Sequence, residues 1–242
     1  MNWQPADCVG MVFVGHFMLR DTQNYLEIDG AEIQAAPDFR ICRTENQKVE
    51  HKRPTQARTG GLSVDAGIKT LLGEKRLGDL TPGDLVLTRD NGFQPVRWVG
   101  RCKAGPGSRA MVVLKADALG PGLPSRDLIL SEDQRLLTSG GVLRELFSKA
   151  EMLIPTRALR QLSALCHERV DADVWHVLMQ RHEVILANDV WTESFQPNRQ
   201  FFDTAEEKVR RQLERFCPKL VQGDAKRAFP AARAQTHLTT RV

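Results

Sequence analysis

Cysteine and histidine are the residues of this chain best suited to covalent or proton-transfer chemistry. Five cysteines occur among the 242 residues, and they are odd in number, far apart and never in a Cys-x-x-Cys pair. This spacing predicts neither a disulfide framework nor a structural zinc site, and no metal or other cofactor is expected. The adjacent Cys166 and His167 do not by themselves indicate a catalytic pair, because a fold normally brings nucleophile and base together from distant positions. We therefore interpret all five as structural or incidental: Cys8, Cys42, Cys102, Cys166 and Cys217.

Two histidines, His176 and His182, lie six residues apart in an apolar segment. On one unbroken strand they would point to the same face, since six is an even number. They would then lie about 20 Å apart, too far to share a metal ion. Each is interpreted as a hydrogen-bonded histidine in the core or at its rim.

Composition excludes several classes of protein. The chain is 41% hydrophobic, which is typical of a globular domain and not of a disordered chain. It has no run of about 18 apolar residues and no basic N-terminal flank, so neither a membrane-spanning helix nor a secretory signal is expected and a cytoplasmic location is predicted.

The net charge of +4 lies in the C-terminal region. The net charge is −1 over residues 1–60, +1 over 61–200 and +4 over 201–242. The basic, irregular tail has a single interleaved aromatic residue, Phe229, so we interpret it as solvated surface and expect no nucleic-acid partner. Its basic residues beyond Pro218 are Lys219, Lys226, Arg227, Arg233 and Arg241.

From Gly61 onward, short apolar runs alternate with turn signals, which predicts a mainly β domain and not a chain of βαβ units. Two turn signals are Thr81-Pro82-Gly83-Asp84 and the hairpin sequence Asn91-Gly92. Strands are predicted at 68–72, 85–88, 96–99, 111–114, 127–130, 174–179 and 183–187.

Other segments have different compositions. Residues 44–61 are polar and end in Gly60-Gly61, and are predicted to be a linker or exposed loop. A short helix is predicted at 143–147. A longer amphipathic helix is predicted at 203–216, capped by Asp203 or Thr204, with an apolar face that packs on the β core or binds an unknown protein partner. That face is formed by Phe202, Ala205, Val209, Leu213 and Phe216.

Three stretches carry a resemblance to a known family. The first, in residues 61–100, contains GLSVDAGIKT and RLGDLTPGDLVLTRDNGFQPVRWVG; the second is DLILSEDQRLL at 127–137; the third is VWHVLMQRHEVILANDVWTESF at 174–195. In order and spacing they resemble the Hint domain, the fold shared by hedgehog autoprocessing domains and inteins, and most closely a bacterial branch of Hint-containing proteins. The resemblance implies a mainly β Hint fold, with short strands in a sandwich- or horseshoe-like arrangement and a C-terminal helix.

The resemblance also implies which positions would react. The family's first residue, usually Cys, attacks the preceding carbonyl to form a thioester, and that position is Gly61 here. The family's Ser/Thr-x-x-His histidine protonates the departing amide, and Gln134 occupies its place three residues after Ser131. A glutamine amide can neither release nor take up a proton as an acid or base near neutral pH. Ser63 is a weak substitute nucleophile, because it would require a two-residue shift.

The third stretch retains more of the family pattern. His182 matches the late histidine of the family, and Asn188-Asp189 stands where the family has an Asn-Gly turn. The His-Asn pair that ends inteins is replaced by Glu193-Ser194, so cleavage by asparagine cyclisation is not expected.

Two main hypotheses follow, beside a third and least favoured one in which the basic tail binds nucleic acid or an acidic partner. The favoured one is a catalytically degenerate Hint domain that serves as a structural or binding module. The alternative is a self-cleaving domain that acts at the Gly60-Gly61 bond by an N–S or N–O acyl shift. The predicted organisation is an N-terminal segment of unknown role with a linker at 1–60, a Hint-like domain at 61–200, and an amphipathic helix with a basic tail at 201–242.

Overall fold

The computed structural model describes residues 12–14, 17–19, 25–28, 31–34, 60–102, 111–140, 149–159, 165–170, 173–216, 218 and 229–235. Within these residues the chain is mainly β. Its strands are β1 (Val12–Val14), β2 (Phe17–Leu19), β3 (Tyr25–Ile28), β4 (Ala31–Gln34), β5 (Gly67–Thr70), β6 (Gly73–Arg76), β7 (Leu85–Thr88), β8 (Gly92–Pro95), β9 (Trp98–Cys102), β10 (Met111–Leu114), β11 (Leu128–Ser131), β12 (Arg135–Ser139), β13 (Glu151–Pro155), β14 (Leu165–Val170), β15 (Val174–Leu178), β16 (Val184–Ala187), β17 (Val190–Glu193) and β18 (Ala234–Gln235).

The largest sheet has the strand order β18-β13-β12-β17-β16-β5-β7-β8, with β6 beside β5, and with β1 beside β12 and carrying β2. Its neighbours pair antiparallel, except that β18 runs parallel to β13. Smaller sheets are β11-β10-β14, β15-β9 and β3-β4. Leu62 bridges two of them, since it pairs with Leu130 of β11 and with Trp175 of β15.

Alternating apolar residues of these strands form the main core. Leu128 and Leu130 of β11, Leu136 of β12 and Ile68 of β5 are fully buried there. A second cluster contains Trp98, Leu178, Phe195, Phe201, Phe202, Val209, Leu213 and Phe229. Burial of so many large apolar side chains is the main favourable free-energy term of this fold.

The predicted strands are largely confirmed, in particular β7, β10, β15 and β16. The strand expected at 96–99 starts later, at Trp98, because Val96 instead exchanges backbone hydrogen bonds with the preceding turn. In that turn the Asp84 carboxylate accepts a hydrogen bond from the Thr81 N–H (2.7 Å), and Gly83 has φ +99°. Asn91-Gly92 closes the β7–β8 hairpin, as predicted.

The single helix predicted at 203–216 is wrong in its bounds. The chain forms α1 (Arg199–Thr204) and α2 (Glu207–Phe216), and the residue that caps α1 is Asn198, whose side chain accepts from the Phe201 N–H at 2.8 Å. Ala205 is extended and separates the two helices. The short helix predicted at 143–147 lies outside the described residues.

The two helices pack on the β core through the predicted apolar face, except for Phe216. Val209 and Leu213 are buried in the second cluster, whereas Phe216 is 47% exposed. The Gln212 side chain accepts a hydrogen bond from the Trp98 indole N–H at 3.1 Å, which fixes α2 against β9. None of the described helices is long and apolar enough to cross a membrane.

The expectation of a solvated, irregular tail is wrong for residues 229–235. Phe229 is buried, Ala234–Gln235 forms a strand, and the Arg233 guanidinium pairs with two carboxylates. The ordered structure of this segment was not predictable, because these few residues have neither helical nor strand periodicity. They are ordered by contacts with distant parts of the chain.

Candidate active site

The Gly60-Gly61 peptide lies inside the fold, between β11 and β15. The Gly61 N–H donates to the Ser131 hydroxyl at 3.0 Å, and the Ser131 N–H donates to the Gly61 carbonyl at 2.9 Å. Leu62 continues the pairing with Trp175 on the other side, at 2.8 and 3.0 Å. The linker or loop prediction is therefore wrong for Gly61, which is buried, while residues 44–59 lie outside the described part of the chain.

Gly61 has no room for a side chain. A Cβ built on it would lie 2.0 Å from Val174 Cγ1, 3.0 Å from the Trp175 carbonyl and 3.1 Å from His176 Cε1. The first distance is far inside van der Waals contact, and valine is stiff about χ1 because it branches at Cβ. The space that a nucleophilic side chain would need is filled by Val174.

Gln134 packs against the other half of the same peptide. A Cβ on Gly60 would lie 2.4 Å from Gln134 Cα and 2.5 Å from its Oε1. The Gln134 amide donates to the Thr192 hydroxyl at 2.7 Å and to the Glu193 carbonyl at 2.8 Å. With both N–H groups used, this side chain ties the start of β12 to β17 and holds its oxygen beside Gly60.

His176 is the histidine that reaches this peptide. Its ring is buried, hydrogen-bonds to the Gly60 backbone, and packs on Phe195 with ring centroids 4.5 Å apart. Burial lowers the pKa of His176 to about 4, although the Gly60 hydrogen bond and the charge of Glu193 act in the opposite direction. The imidazole is therefore neutral at pH 7 and binds the peptide as a hydrogen-bonding group.

His182 is connected to the Gly60-Gly61 peptide indirectly, through Glu193. Its Nδ1 accepts from the Ala232 N–H at 2.9 Å, and its Nε2 lies 3.3 Å from a Glu193 carboxylate oxygen. Because Nδ1 accepts a hydrogen bond, the neutral ring carries its proton on Nε2, facing the carboxylate.

Glu193 has a buried carboxylate that forms an ion pair with Arg135. The Arg135 guanidinium donates to both of its oxygens, at 3.0 and 3.2 Å, and the Arg135 N–H donates at 3.1 Å. Burial alone would raise the pKa of Glu193, but the charge of Arg135 and the contact with His182 outweigh it and lower that pKa. Its main-chain carbonyl is the one that binds Gln134.

A family model described as the Hint domain matches residues 61–199, which is more than half of the chain. The chain belongs to the Hint-domain family. No curated protein matches it significantly.

Solved inteins resemble the chain in fold. A gp41-1 intein is 17% identical and is matched over 55% of this chain and 97% of its own, with a TM-score of 0.37. A DnaB intein from Synechocystis sp. PCC 6803 is 19% identical over 56% and 98%, with a TM-score of 0.35. The MchDnaB-1 intein is 22% identical over 54% and 98%, with a TM-score of 0.33.

The structure brings some predicted positions of the Hint domain together and separates others. Gly61, Ser131 and Gln134 meet around one peptide bond. Ser63 is buried two residues further along, where its N–H pairs with the Ile129 carbonyl at 2.9 Å. An extended chain advances about 3.3 Å per residue, so Ser63 is offset from the peptide by about 7 Å along the strand.

His176 and His182 do not share a strand, in agreement with the two separate strands predicted at 174–179 and 183–187. Strand β15 ends at Leu178 and β16 starts at Val184, so His182 lies in the connection. The two histidines approach Glu193 from different elements. Sequence reasoning also missed Val174 and Thr192, because nothing in their local pattern distinguishes them from other strand residues.

The last two predicted features are structural parts of the same hairpin. Asn188 and Asp189 form the β16–β17 turn with φ values of 44° and 65°, as the Asn-Asp sequence predicted. At the intein His-Asn position, Ser194 exchanges hydrogen bonds with Glu183: its hydroxyl accepts from the Glu183 N–H at 2.9 Å. Glu193 and Ser194 thus have contacts that stabilise the hairpin.

Proposed function

We propose that this Hint domain does not self-process and serves as a structural or binding module whose Gly60-Gly61 bond stays intact. The observation that carries the proposal is the occupied space at Gly61, where Val174 Cγ1 lies 2.0 Å from the position of a Cβ. The position lacks a nucleophile and also lacks the room for one.

The chemistry supports the same conclusion. An acyl shift needs a thiol or hydroxyl that bonds to the Gly60 carbonyl carbon while the Gly61 nitrogen leaves with a proton. Gly61 cannot attack, and the Gln134 amide supplies no proton and is tied to Thr192 and Glu193. His176 and Ser131 bind the two sides of the peptide, but binding alone does not break it.

Self-cleavage is the competing hypothesis, and it is tested on the full-length chain. After prolonged incubation with dithiothreitol or hydroxylamine, intact-mass spectrometry should show a single species of 27.2 kDa. Fragments of about 7 and 20 kDa, in proportion to 60 and 182 of the 242 residues, would contradict the proposal. A Ser63→Ala variant is the matched control. Loss of such fragments in that variant would assign the cleavage to an N–O shift through Ser63.

A further inference from the structure

Residues Phe229–Gln235 lie beyond the part of the chain matched by the Hint family, yet they are bound along the domain. Phe229 at one end is buried against the aromatic cluster of α1, α2 and β9. At the other end Ala234 and Gln235 pair in parallel with Met152 and Leu153 of β13. The segment therefore lies in a groove whose two ends bind an aromatic side chain and an extended backbone. We call it the C-terminal strap.

The centre of the groove binds an arginine. The Arg233 guanidinium makes two hydrogen bonds to the Asp90 carboxylate, at 2.6 and 2.8 Å, and a third to Glu151 at 2.9 Å. Only 22% of the Arg233 side chain and 17% of the Glu151 side chain are exposed. Paired hydrogen bonds from a planar guanidinium to a carboxylate are specific to arginine, because lysine cannot reproduce that geometry.

Charge in this pocket is complementary to a cation. The pKa of Glu151 is lowered although burial raises it, because Arg89 and Arg233 both donate to it. The pKa of Asp90 is lowered by its hydrogen bonds with Arg233, against a smaller effect of burial. Both carboxylates are therefore ionised at neutral pH. The Arg89 guanidinium, which lies 2.6 Å from Glu151, neutralises one of these two negative charges. The other negative charge is left to pair with a second cation.

Side chains of the domain also bind the backbone of the strap. The Gln196 side-chain amide donates to the Phe229 carbonyl at 3.1 Å, and its oxygen accepts from the Gln235 side-chain amide at 2.7 Å. His182 accepts from the Ala232 N–H. Main-chain hydrogen bonds together with pockets for particular side chains are how a sheet edge recognises an added peptide strand.

We infer that this groove is an arginine-anchored peptide-binding site, and that the strap of the same chain is its resident ligand. The inference deepens the proposed function, since it names the partner of the binding module as a segment with an aromatic residue four positions before an arginine and a strand directly after that arginine. The acidic pocket of Asp90 and Glu151 selects the arginine. The edge of β13 and the side chain of Gln196 bind the backbone.

The test uses the full-length chain carrying Arg233→Ala and a fluorescent synthetic peptide of residues 225–238. We expect deuterium uptake by β13 to rise in this variant, because its own strap is released. The wild-type peptide should bind the variant at least tenfold more tightly than it binds the wild-type chain, whose groove is occupied. A peptide that carries Arg233→Ala should bind the variant at least tenfold more weakly, as expected for loss of hydrogen bonds between charged groups.

A scrambled peptide of the same composition is the matched control, since it keeps the net charge. Equal binding of the scrambled and native peptides would overturn the inference, and so would unchanged deuterium uptake in the variant. If Arg233→Ala does not fold, an Arg233→Lys chain supports the same comparison, because it keeps the charge without the paired geometry. A strap exchanged between two copies would appear as a dimer and would overturn the assignment of the ligand to the same chain.

The same samples separate this inference from the proposed function. Intact mass reports whether Gly60-Gly61 is cleaved, and fluorescence anisotropy reports whether the groove binds the peptide. A cleaved chain that still binds the peptide would contradict the inert Hint domain alone. An intact Arg233→Ala chain that binds no peptide would contradict the arginine-anchored groove alone.

Discussion

At Gly61, reactivity depends both on the side chain and on the space available for it. A missing nucleophile is reversible by one substitution if its place in the fold is empty. Here Val174 fills that place, and Gln134 has become a cross-link between β12 and β17. Under the proposed function, cleavage would need three separate repairs: a nucleophile at position 61, a proton donor at position 134 and space beside Val174.

We expect that two substitutions do not restore cleavage and that three do. Gly61→Cys with Gln134→His supplies the thiol and the imidazole, but the new Cβ collides with Val174 Cγ1. We expect that double variant to stay intact in hydroxylamine, as measured by intact mass. Adding Val174→Ala removes the colliding methyl group and should produce the two fragments.

The control for this experiment is the triple variant with Gly61→Ala in place of Gly61→Cys. It has the same space and the same imidazole but no thiol, so it should not cleave. Cleavage by the double variant would show that Val174 yields without substitution. Inertness of the cysteine-containing triple variant would show that further groups have been lost.

His176 predicts how stability depends on pH. Its pKa is about 4 in the folded chain because it is buried, against about 6.5 in an unfolded chain. Between these values the unfolded state binds the proton first, so acidification favours unfolding. Each pKa unit is worth about 1.4 kcal/mol, and the free energy of unfolding should fall by about 3 kcal/mol from this residue as the pH drops from 7 to 4. Urea titrations at several pH values measure this slope.

His176→Gln is the matched variant, because glutamine retains a hydrogen-bond donor and does not titrate. Its unfolding free energy should be lower at pH 7 but should change less between pH 6.5 and 4. Glu193 acts in the same direction over a lower range: its folded pKa is depressed, so its contribution is present above the unfolded value near 4.3 and is lost below it. An unchanged slope in His176→Gln would assign the acid sensitivity to carboxylates instead.

At the scale of an element, the turn of the β16–β17 hairpin has two adjacent residues whose backbone conformation favours glycine, and one of them also needs its side chain. Asn188 and Asp189 both have positive φ, which favours glycine. The Asn188 side chain is nevertheless used, since its oxygen accepts from the Gly67 N–H at 2.7 Å and its amide donates to the Asp127 carbonyl at 3.1 Å. This residue fixes the turn to β5 and to the loop before β11.

Glycine substitutions in this turn should therefore have opposite effects. Asp189→Gly relieves a left-handed conformation and should raise the free energy of unfolding by about 1 kcal/mol. Asn188→Gly relieves the same strain but leaves buried backbone groups without their partners, at a cost of about 1–3 kcal/mol each. Thermal denaturation of the two variants measures both signs. Stabilisation by both substitutions would show that the Asn188 contacts contribute nothing.

The sequence predicted elements better than their contacts. Strands such as β7 and β10 were predictable because alternation and turn residues are local properties, and the Asn188-Asp189 turn was predictable for the same reason. The gathering of Gly61, Ser131 and Gln134 followed from the family resemblance. The contact of His176 with Gly60 and the filling of the nucleophile space by Val174 were not predictable, because both depend on how β15 packs beside residues more than 100 positions earlier.

At the scale of the whole molecule, the region matched by the Hint family buries its main core but does not by itself cover its second apolar cluster. Trp98, Leu178 and Phe195 lie within that region, but much of the cluster that covers them comes from α1, α2 and Phe229. The helices and the strap therefore complete the domain, and do so next to the groove that holds Arg233. The helix face proposed for an unknown protein partner is mostly used within the chain, with Phe216 left exposed.

This dependence predicts that a chain ending at residue 199 does not fold stably, whereas one ending at residue 235 does. Exposing the side chains of Trp98, Leu178 and Phe195 forfeits about 1.5–3 kcal/mol each, and their sum is comparable to the about 5–15 kcal/mol that stabilises a typical domain. The shorter chain should bind a hydrophobic dye and lose the near-ultraviolet circular dichroism of Trp98, while the longer chain matches the full-length protein. An equal melting temperature for the two truncated chains would show that the matched region folds independently of the helices and the strap.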